Sequence, residues 1–300
     1  MLIRMKPETT NEQIDEVRNS FQKALNRHGF GFQFSVLKIA ENLAKRVDYD
    51  ERSRWSFLFS EVPLEVRGSG TRIDFILSRS RSTSSPFFYL ISECKRANPK
   101  LSNWCFVRAP RVRRGRSRGV DPLLVETVFQ GREVRKPMTT VSNLNALTDA
   151  YHLGVEVRSP KAGDDKGESG RAIEDAVTQV LRGLNGYIEA LCQDKQLFET
   201  QVHLLPVIFT TAQLWISHSD LGLADLDTGD IDLSTDKFES VPWLWYQYHM
   251  SPGLKHTSIY EPRHEIKAEE FLEAKYIRTV AIVSASGIEE FLLYTSRDFF

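Results

Sequence analysis

The chain has 300 residues, of which 41% are hydrophobic and 26% are charged, a composition typical of globular domains. This length allows one elaborated domain or two modest ones, with a core large enough to need no disulfide or structural metal. The 39 Lys and Arg residues nearly balance the 40 Asp and Glu residues, for a net charge of -1. That balance excludes a polybasic protein whose whole surface meets nucleic acid, and it excludes an acidic disordered chain.

The cysteines and the hydropathy pattern indicate the compartment. Cys94, Cys105 and Cys192 show no CxxC spacing, so reduced thiols are expected rather than a disulfide framework or a cysteine-rich zinc site. The N-terminus has no apolar core of signal-peptide length, and the most apolar stretch, 203–216, is interrupted by polar residues and too short to span a bilayer. We therefore expect a cytoplasmic protein with no membrane partner.

The N-terminal part of the chain predicts two helices. Thr9 and Thr10 are each followed three residues later by Glu or Gln, the capping-box pattern that opens a helix. Apolar residues at helical spacing continue this helix until Gly29 and Gly31, which are expected to end it. A second helix is predicted from 35 to about 47. The apolar positions of the first helix are Ile14, Val17, Phe21 and Leu25.

Three consecutive strands are predicted next, at 57–66, 71–77 and 87–91, and their short connections suggest a meander. In the second strand, alternation places Ile73, Phe75 and Leu77 on one face. Asp74 then lies on the opposite, less apolar face.

From Arg96 to about Gly170 the periodic pattern degrades, which predicts a long insertion. Six arginines fall between 108 and 118 without an acid among them. This cluster is interpreted either as a phosphate-contacting surface or as a flexible solvated loop, and the lack of interleaved acids favours phosphate contact.

The rest of the chain predicts further helices and strands. A long amphipathic helix is expected over 173–191, followed by a buried strand or strand pair over 204–216. The remaining predictions are an acidic turn over 220–236, an aromatic strand over 241–248, a short helix over 267–274 and strands over 277–284 and 290–294. The order of elements indicates an α/β arrangement around one sheet.

Asp74, Glu93 and Lys95 form the pattern that carries chemistry. Asp74 lies within one predicted strand, and Glu93 ends the next, so neighbouring strands would project both carboxylates from one end of the sheet. Two carboxylates, waters and substrate phosphates are the ligands that Mg²⁺ prefers. Lys95 is two residues after Glu93 and shares its strand face, so its ammonium could reach a metal-bound water. Acid-x-Lys triplets occur four times in the chain, but only this one follows a buried-strand pattern.

These residues resemble the PD-(D/E)XK nuclease superfamily, which includes type II restriction endonucleases and Holliday-junction resolvases. The resemblance spans about 35–215 and rests on the motif strands Arg72-Ile73-Asp74-Phe75 and Leu90-Ile91-Ser92-Glu93-Cys94-Lys95-Arg96, followed by a long helix. Ile73 stands where the motif name has proline.

The resemblance implies a restriction-endonuclease-like mixed β-sheet flanked by helices, and Mg²⁺-dependent phosphodiester hydrolysis in which Mn²⁺ can substitute. It implies metal ligation by Asp74 and Glu93, with the main-chain carbonyl of Cys94 as a further ligand, and assistance of the attacking water by Lys95. Glu41 on the helix before the strands matches a further acid of the family. Two secondary candidates are Glu61, a rival to Glu41, and Gln179 on the long helix.

The predicted organisation has an N-terminal helix (1–34), a nuclease core (35–218) with its long basic insertion (96–170), and a C-terminal α+β extension (219–300). Positively charged residues near the motif are expected to contact nucleic acid, with DNA the expected partner and RNA a less favoured one. These residues are Arg72, Arg96, Arg111, Arg113, Arg114 and Arg116.

The sequence therefore predicts a metal-dependent endonuclease acting on DNA, in bacterial antiviral defence and restriction or in DNA repair. Two alternatives remain open at this point. One is a nucleic-acid-binding module of the same fold that has lost cleavage. The other is an assembly protein whose C-terminal region docks a second copy or a partner subunit, and this alternative is weakened if 220–300 complete the core.

Overall fold

The computed structural model describes residues 11–46, 54–66, 68–79, 86–109, 121–129, 138–147, 149–158, 171–193, 201–250 and 276–297. Its helices are α1 (Asn11–His28), α2 (Phe30–Ala44), α3 (Ala172–Gln193) and α4 (Ile288–Arg297). The strands of its first half are β1 (Ser56–Val66), β2 (Ser69–Arg79), β3 (Phe87–Lys95), β4 (Asn103–Val107), β5 (Asp121–Phe129), β6 (Met138–Leu147), β7 (Ala150–Tyr151) and β8 (Leu153–Val157). The strands of its second half are β9 (Gln201–Thr210), β10 (Gln213–Ser217), β11 (Phe238–Val241), β12 (Trp243–His249) and β13 (Ile277–Ser284).

The described strands form a large mixed sheet and a small one. The large sheet runs β1-β2-β3-β9-β13-β12-β7, with β5 paired to β9 and β6 to β5. β1 and β3 each pair antiparallel with β2, whereas β3 pairs in parallel with β9, and β9 with β13. The small sheet runs β11-β10-β4-β8. The protein is thus a mixed α/β fold whose multistranded sheet is flanked by helices.

Each face of the large sheet carries its own hydrophobic core. On one face, Val177, Leu181 and Leu184 of α3 pack with sheet residues and with Trp104 and Phe106 of the small sheet. On the other face, α2 and α4 pack against the sheet through their apolar stripes. The α2 stripe is Val36, Leu37, Ala40 and Leu43, and the α4 stripe is Ile288, Phe291 and Leu292. Burial of these two faces fixes the sheet between helices on both sides.

The predicted meander is confirmed, but the predicted alternation within β2 is wrong at its first residue. Ile73 contacts the α3 side, because the space beside Gly183 is filled by the Ile73 side chain. Phe75 instead stacks on Phe209 and lies in the core of α2 and α4. Ile73 and Phe75 therefore lie on opposite faces, and β2 changes face at Asp74.

Two glycines, Gly29 and Gly31, are predicted to end the first helix; the boundary at Gly29 is confirmed, and the one at Gly31 is wrong. Gly29 lies between α1 and α2 with a φ of 74°, a left-handed conformation that a glycine adopts without steric cost. Gly31 lies inside α2, which begins at Phe30, before the predicted position 35. The burial of α2 against the sheet outweighs the weak helix propensity of a single glycine.

The segment 96–170, predicted as a long insertion without a periodic pattern, contains regular strands among the residues that the structure describes. This segment contributes β4 to β8, which enter both sheets. Several of these strands are only two to five residues long, which leaves too few positions for a periodic pattern to emerge. The arginines at 111, 113, 114 and 116 lie outside the described residues.

The C-terminal third contains two of the predicted strands, with 241–248 confirmed as β12, one wrong strand and no separate unit among the described residues. The strand predicted at 277–284 is β13, but 290–294 is part of the helix α4. The predicted boundary at 218 does not coincide with a break in the sheet, because β13 lies between β9 and β12. Residues beyond 218 thus complete the core, which counts against an assembly role for a separate C-terminal surface. The helix predicted at 267–274 lies outside the described residues.

Among the described residues, no helix combines the length and the apolar character needed to cross a bilayer.

Candidate active site

A polar cavity of about 470 Å³ lies at the end of β3, between the meander and α3. It collects side chains from the three meander strands and from both helices that flank them. The charged and amide side chains that line it are Gln33, Glu61, Arg72, Asp74, Glu93, Lys95, Arg96 and Gln179. The cavity therefore brings together Asp74, Glu93 and Lys95, as the sequence predicts.

The pairing of β2 with β3 places Asp74 beside Glu93. Phe75 pairs with Ser92 in the antiparallel register, and the next residues along the two strands are Asp74 and Glu93. The main-chain N–H of Cys94 donates to Oδ2 of Asp74 at 2.6 Å, which fixes the carboxylate against β3. Because β2 changes face at Asp74, this carboxylate points into the cavity rather than into either apolar core.

Glu93 is the most buried acid of the cavity, with 4% of its surface exposed. Among the described residues, none donates a hydrogen bond to its carboxylate. Burial, together with the neighbouring Asp74 charge, raises the pKa of Glu93 to about 9. Burial also raises the pKa of Asp74 to about 6, against the opposing effect of the Cys94 hydrogen bond. The buried carboxyl of Glu93 beside the half-buried carboxyl of Asp74 thus carries an electrostatic cost that a bound cation would relieve.

Lys95 lies at the end of β3, two residues after Glu93 and on the same strand face. Its ammonium lowers the pKa of both Asp74 and Glu93, which places its charge within reach of both carboxyls. The intervening Cys94 thiol stays protonated, because burial and the nearby carboxylates raise its pKa. Lys95, and not Cys94, is therefore the side chain of this strand that brings positive charge to an anion in the cavity.

Glu61 enters the cavity from β1 with an unusual backbone conformation. Its φ of 53° lies in the left-handed region, which is costly for a residue with a side chain and which clusters at functional sites. The Nη1 atom of Arg72 donates to Oε2 of Glu61 at 2.5 Å. Of the two acids that the resemblance offers as a further ligand, Glu41 and Glu61, the structure brings Glu61 to the cavity. Glu41 is exposed on α2 and is not among the cavity-lining residues.

Gln33 is a cavity residue that the sequence reasoning missed. Its side chain is 3% exposed, and its Nε2 donates to Oε1 of Glu61 and to the main-chain oxygen of Asp74, both at 2.9 Å. Gln33 precedes Val36, Leu37 and Ala40 by one and two helical turns, so it extends their buried stripe. The signal available in the sequence was a glutamine that continues the apolar stripe of α2.

Gln179 and two of the arginines complete the cavity. Gln179 reaches it from α3, on the side opposite Gln33. Arg72 is held by Glu61, and Nη1 of Arg96 donates to the main-chain oxygen of Asn26 at the end of α1. The basic groups thus lie at the cavity margin, next to the acidic centre.

The residues present fit a hard divalent cation. Among the described residues, no three His, Cys, Asp or Glu side chains are grouped closely enough to form a complete metal cage. Mg²⁺, however, is commonly held by one or two carboxylates, with waters and substrate phosphates filling the other positions. Asp74 and Glu93 supply such a pair, and burial raises the pKa of both although the positive charge of Lys95 opposes the shift.

Comparisons with known proteins found no relative of this chain. No protein-family model matches the chain, and neither a curated protein nor a solved structure does so.

Proposed function

We propose that the protein is a Mg²⁺-dependent nuclease of the PD-(D/E)XK type that hydrolyses phosphodiester bonds of DNA. The observation that carries this proposal is the convergence of Asp74 with Glu93 and Lys95 in one polar cavity at the end of the meander. A plain surface ion pair would not explain a buried Glu93 beside a half-buried Asp74, both with raised pKa values.

The order of elements supports a restriction-endonuclease-like core. The helix α2 precedes the antiparallel β1-β2-β3 meander, and α3 precedes β9, which pairs in parallel with β3. This arrangement agrees with the mixed sheet between helices that the family resemblance implies. The strands β4 to β8 and β10 to β13 lie outside this order of elements, but they belong to the same two sheets and complete the core.

The proposed site divides its work between the cavity centre and its margin. Asp74 and Glu93, with the main-chain carbonyl of Cys94, would hold the cation. When bound, the cation would supply Lewis acidity and neutralise charge on the phosphate. Lys95 would donate a hydrogen bond to the attacking water or to a phosphate oxygen. Water adds to phosphorus and releases a proton to solvent, one P–O ester bond breaks, and the leaving oxygen takes up a proton from solvent.

The neighbouring polar groups would position this centre. Gln33 holds Glu61 and the backbone of Asp74 in place through its two hydrogen bonds. Arg72 and Arg96, at the margin, would contact phosphates flanking the scissile one. Gln179 would donate to the substrate from α3. Contacts of this kind bind the backbone without reading sequence.

The test is cleavage of double-stranded, single-stranded and branched DNA, and of RNA, in Mg²⁺, Mn²⁺ and EDTA. We expect cleavage of DNA in either metal and none in EDTA. Asp74→Ala and Lys95→Ala should each lower the rate at least about a hundredfold, since each removes a group that acts on the reacting phosphate. Asp230→Ala and Lys237→Ala change the same residue types at exposed positions and should leave the rate unchanged.

Wild-type rates in both Asp74→Ala and Lys95→Ala would overturn the assignment. EDTA-insensitive DNA binding without cleavage of any substrate would instead favour the non-cleaving module that the sequence left open.

A further inference from the structure

An apolar groove between α1 and α2 continues directly into the candidate active site. The groove has a volume of about 640 Å³, and its apolar walls are Phe21 and Leu25 from α1 with Phe30 and Phe34 from α2. Phe30 and Glu61 line both this groove and the polar cavity. A ligand can therefore extend from the groove into the cavity without leaving the protein surface.

The aromatic walls of the groove are unusually exposed. Phe21 is 62% exposed and Phe34 is 58% exposed, although both side chains are large and apolar. An apolar patch of this kind commonly marks a binding surface. The rim adds polar side chains, with Arg18, Gln22 and Asn26 on α1. The groove thus offers flat aromatic faces and a few hydrogen-bonding groups beside them.

The occupant has to match both the groove and the cavity. The cavity presents Lys95, Arg72 and Arg96 around an acidic centre, whereas the groove presents phenylalanine rings. A nucleotide chain has this dual character, because its bases offer apolar faces and its phosphates carry negative charge. A helix from another protein could fill the groove and place a carboxylate at the basic margin, but only a nucleotide chain would also place a phosphodiester at the centre proposed to cleave it.

The bases must also be unpaired. In a duplex, each base is stacked between its neighbours and its faces are not available to side chains. Single strands, flaps and splayed junctions expose these faces, and aromatic side chains bind them by stacking with little sequence preference. Phe21 and Phe34 have the exposure that such stacking requires.

We propose that the α1/α2 groove binds unpaired nucleotides adjacent to the scissile phosphate, and that it directs the enzyme to DNA with a single-stranded segment. This proposal rests on the proposed nuclease function and adds a substrate class to it. Stacking on Phe21 and Phe34 selects the substrate, and the polar cavity acts on the phosphate that follows.

The experiment compares binding and cleavage for matched single-stranded, flapped and fully paired DNA of one sequence. Binding is measured by fluorescence anisotropy in EDTA, and stacking by quenching of 2-aminopurine placed near the scissile position. The wild type should bind single-stranded and flapped DNA at least about tenfold more tightly than paired DNA. Phe34→Leu and Phe21→Leu should each remove most of that preference and the quenching.

Phe34→Trp is the matched control, since it retains an aromatic face of at least equal size, and it should keep both the preference and the quenching. Leu153→Ala, at an exposed apolar position on β8, should change neither. Thermal unfolding of every variant separates a folding defect from a loss of stacking.

The outcomes for the two proposals are distinct. Metal-dependent cleavage with no preference for unpaired DNA, or with a preference that Phe34→Leu leaves intact, overturns the groove proposal and leaves the nuclease proposal standing. If light scattering shows a dimer that Phe21→Leu and Phe34→Leu each dissociate, the groove binds a second copy of the chain. That result overturns the groove proposal as well. The absence of metal-dependent cleavage for every substrate, with Asp74→Ala unchanged from wild type, overturns the nuclease proposal itself.

Discussion

Glu93 is the residue at which burial and charge oppose each other most strongly. With a pKa of about 9, its carboxyl binds a proton in the folded protein at neutral pH, whereas the unfolded chain, with the ordinary value of 4.5, has released it. The folded state therefore holds more protons over this window. The stability that this bound proton contributes to the folded state is fully present below about pH 4.5 and is lost as the pH rises toward about 9.

Glu93→Gln should therefore stabilise the metal-free protein in a pH-dependent manner while abolishing cleavage. The amide keeps the shape of the side chain without its charge, so the free energy of unfolding should rise by about 2 kcal/mol at pH 8 and by much less at pH 5. Urea unfolding in EDTA at both pH values measures this. Glu65→Gln, at an exposed position on β1, is the control. An equal change at both pH values would contradict the electrostatic explanation.

Gln33→Leu should weaken the site and the fold together. The substitution keeps the volume of the side chain but removes the N–H groups of Nε2. The main-chain oxygen of Asp74 and Oε1 of Glu61 each lose one hydrogen bond. The cost should be about 1–3 kcal/mol of unfolding free energy. Half-maximal cleavage should also require more Mg²⁺, because Asp74 is held less firmly. Gln193→Leu, at the exposed end of α3, is the control and should change neither the unfolding free energy nor the Mg²⁺ concentration for half-maximal cleavage. If Gln33→Leu needs no more Mg²⁺ than the wild type, Gln33 contributes to stability alone.

At the scale of elements, α3 approaches the meander so closely that two of its positions leave no room for a Cβ atom. A Cβ atom at Gly186 would lie 2.9 Å from a methyl carbon of Val66 and 3.0 Å from Cβ of Leu64, both on β1. A Cβ atom at Gly183 would lie 2.8 Å from Ile73 on β2. These two glycines set the distance between α3 and the strands that carry the acidic residues, and with it the position of Gln179.

Gly186→Ala should therefore destabilise the protein although alanine favours helices. The new methyl group must displace α3 or β1, which should cost about 1–3 kcal/mol and outweigh the gain in helix propensity of about 1 kcal/mol. Urea unfolding measures the loss, with the exposed Arg182→Ala on the same helix as control. An increase in stability would show that the contact relaxes freely.

The elements that the sequence predicts are those with long periodic patterns. The meander and α3 have them, and both are confirmed. The strands β4, β7 and β8 are too short to show a period. The segment 290–294 is compatible with a strand by itself, and only the spacing of Ile288 with Phe291, Leu292 and Thr295 reveals the buried face of a helix.

The site was predictable where its residues follow strand patterns and not where they depend on tertiary contacts. Asp74 falls within one apolar strand, and Glu93 and Lys95 end the next; the sequence marks both strands. Gln33 and the choice of Glu61 over Glu41 depend on how α2 packs against β1, which no local pattern specifies.

For the whole molecule, the large sheet requires both ends of the chain. Its order places β13 between β9 and β12, so the strand beside the proposed nuclease core comes from the last 25 residues of the chain. The helix α4 also covers the core of α2, with Phe291 fully buried. The C-terminal third is thus part of one cooperative core.

A chain ending at residue 218 should consequently fail to fold. Loss of β12, β13 and α4 exposes β9 on its edge and uncovers one face of the sheet, which removes far more than the 5–15 kcal/mol by which domains are typically stable. Circular dichroism melting should show no cooperative transition. Replacing 222–233, within the exposed acidic turn, by a short Gly-Ser linker is the control and should leave the transition intact. A cooperative transition in the truncated chain would restore the boundary predicted at 218.

The parallel pairing of β3 with β9 has a consequence for the order of folding. The meander is joined by short connections, so Asp74 and Glu93 can be brought together by local contacts alone. Pairing of Cys94 with Phe209 must close a much longer loop, and such non-local contacts form slowly. The two acids of the proposed site can thus be adjacent before α3 and β9 enclose them. The burial that raises their pKa values is then the last part of the site to be established during folding.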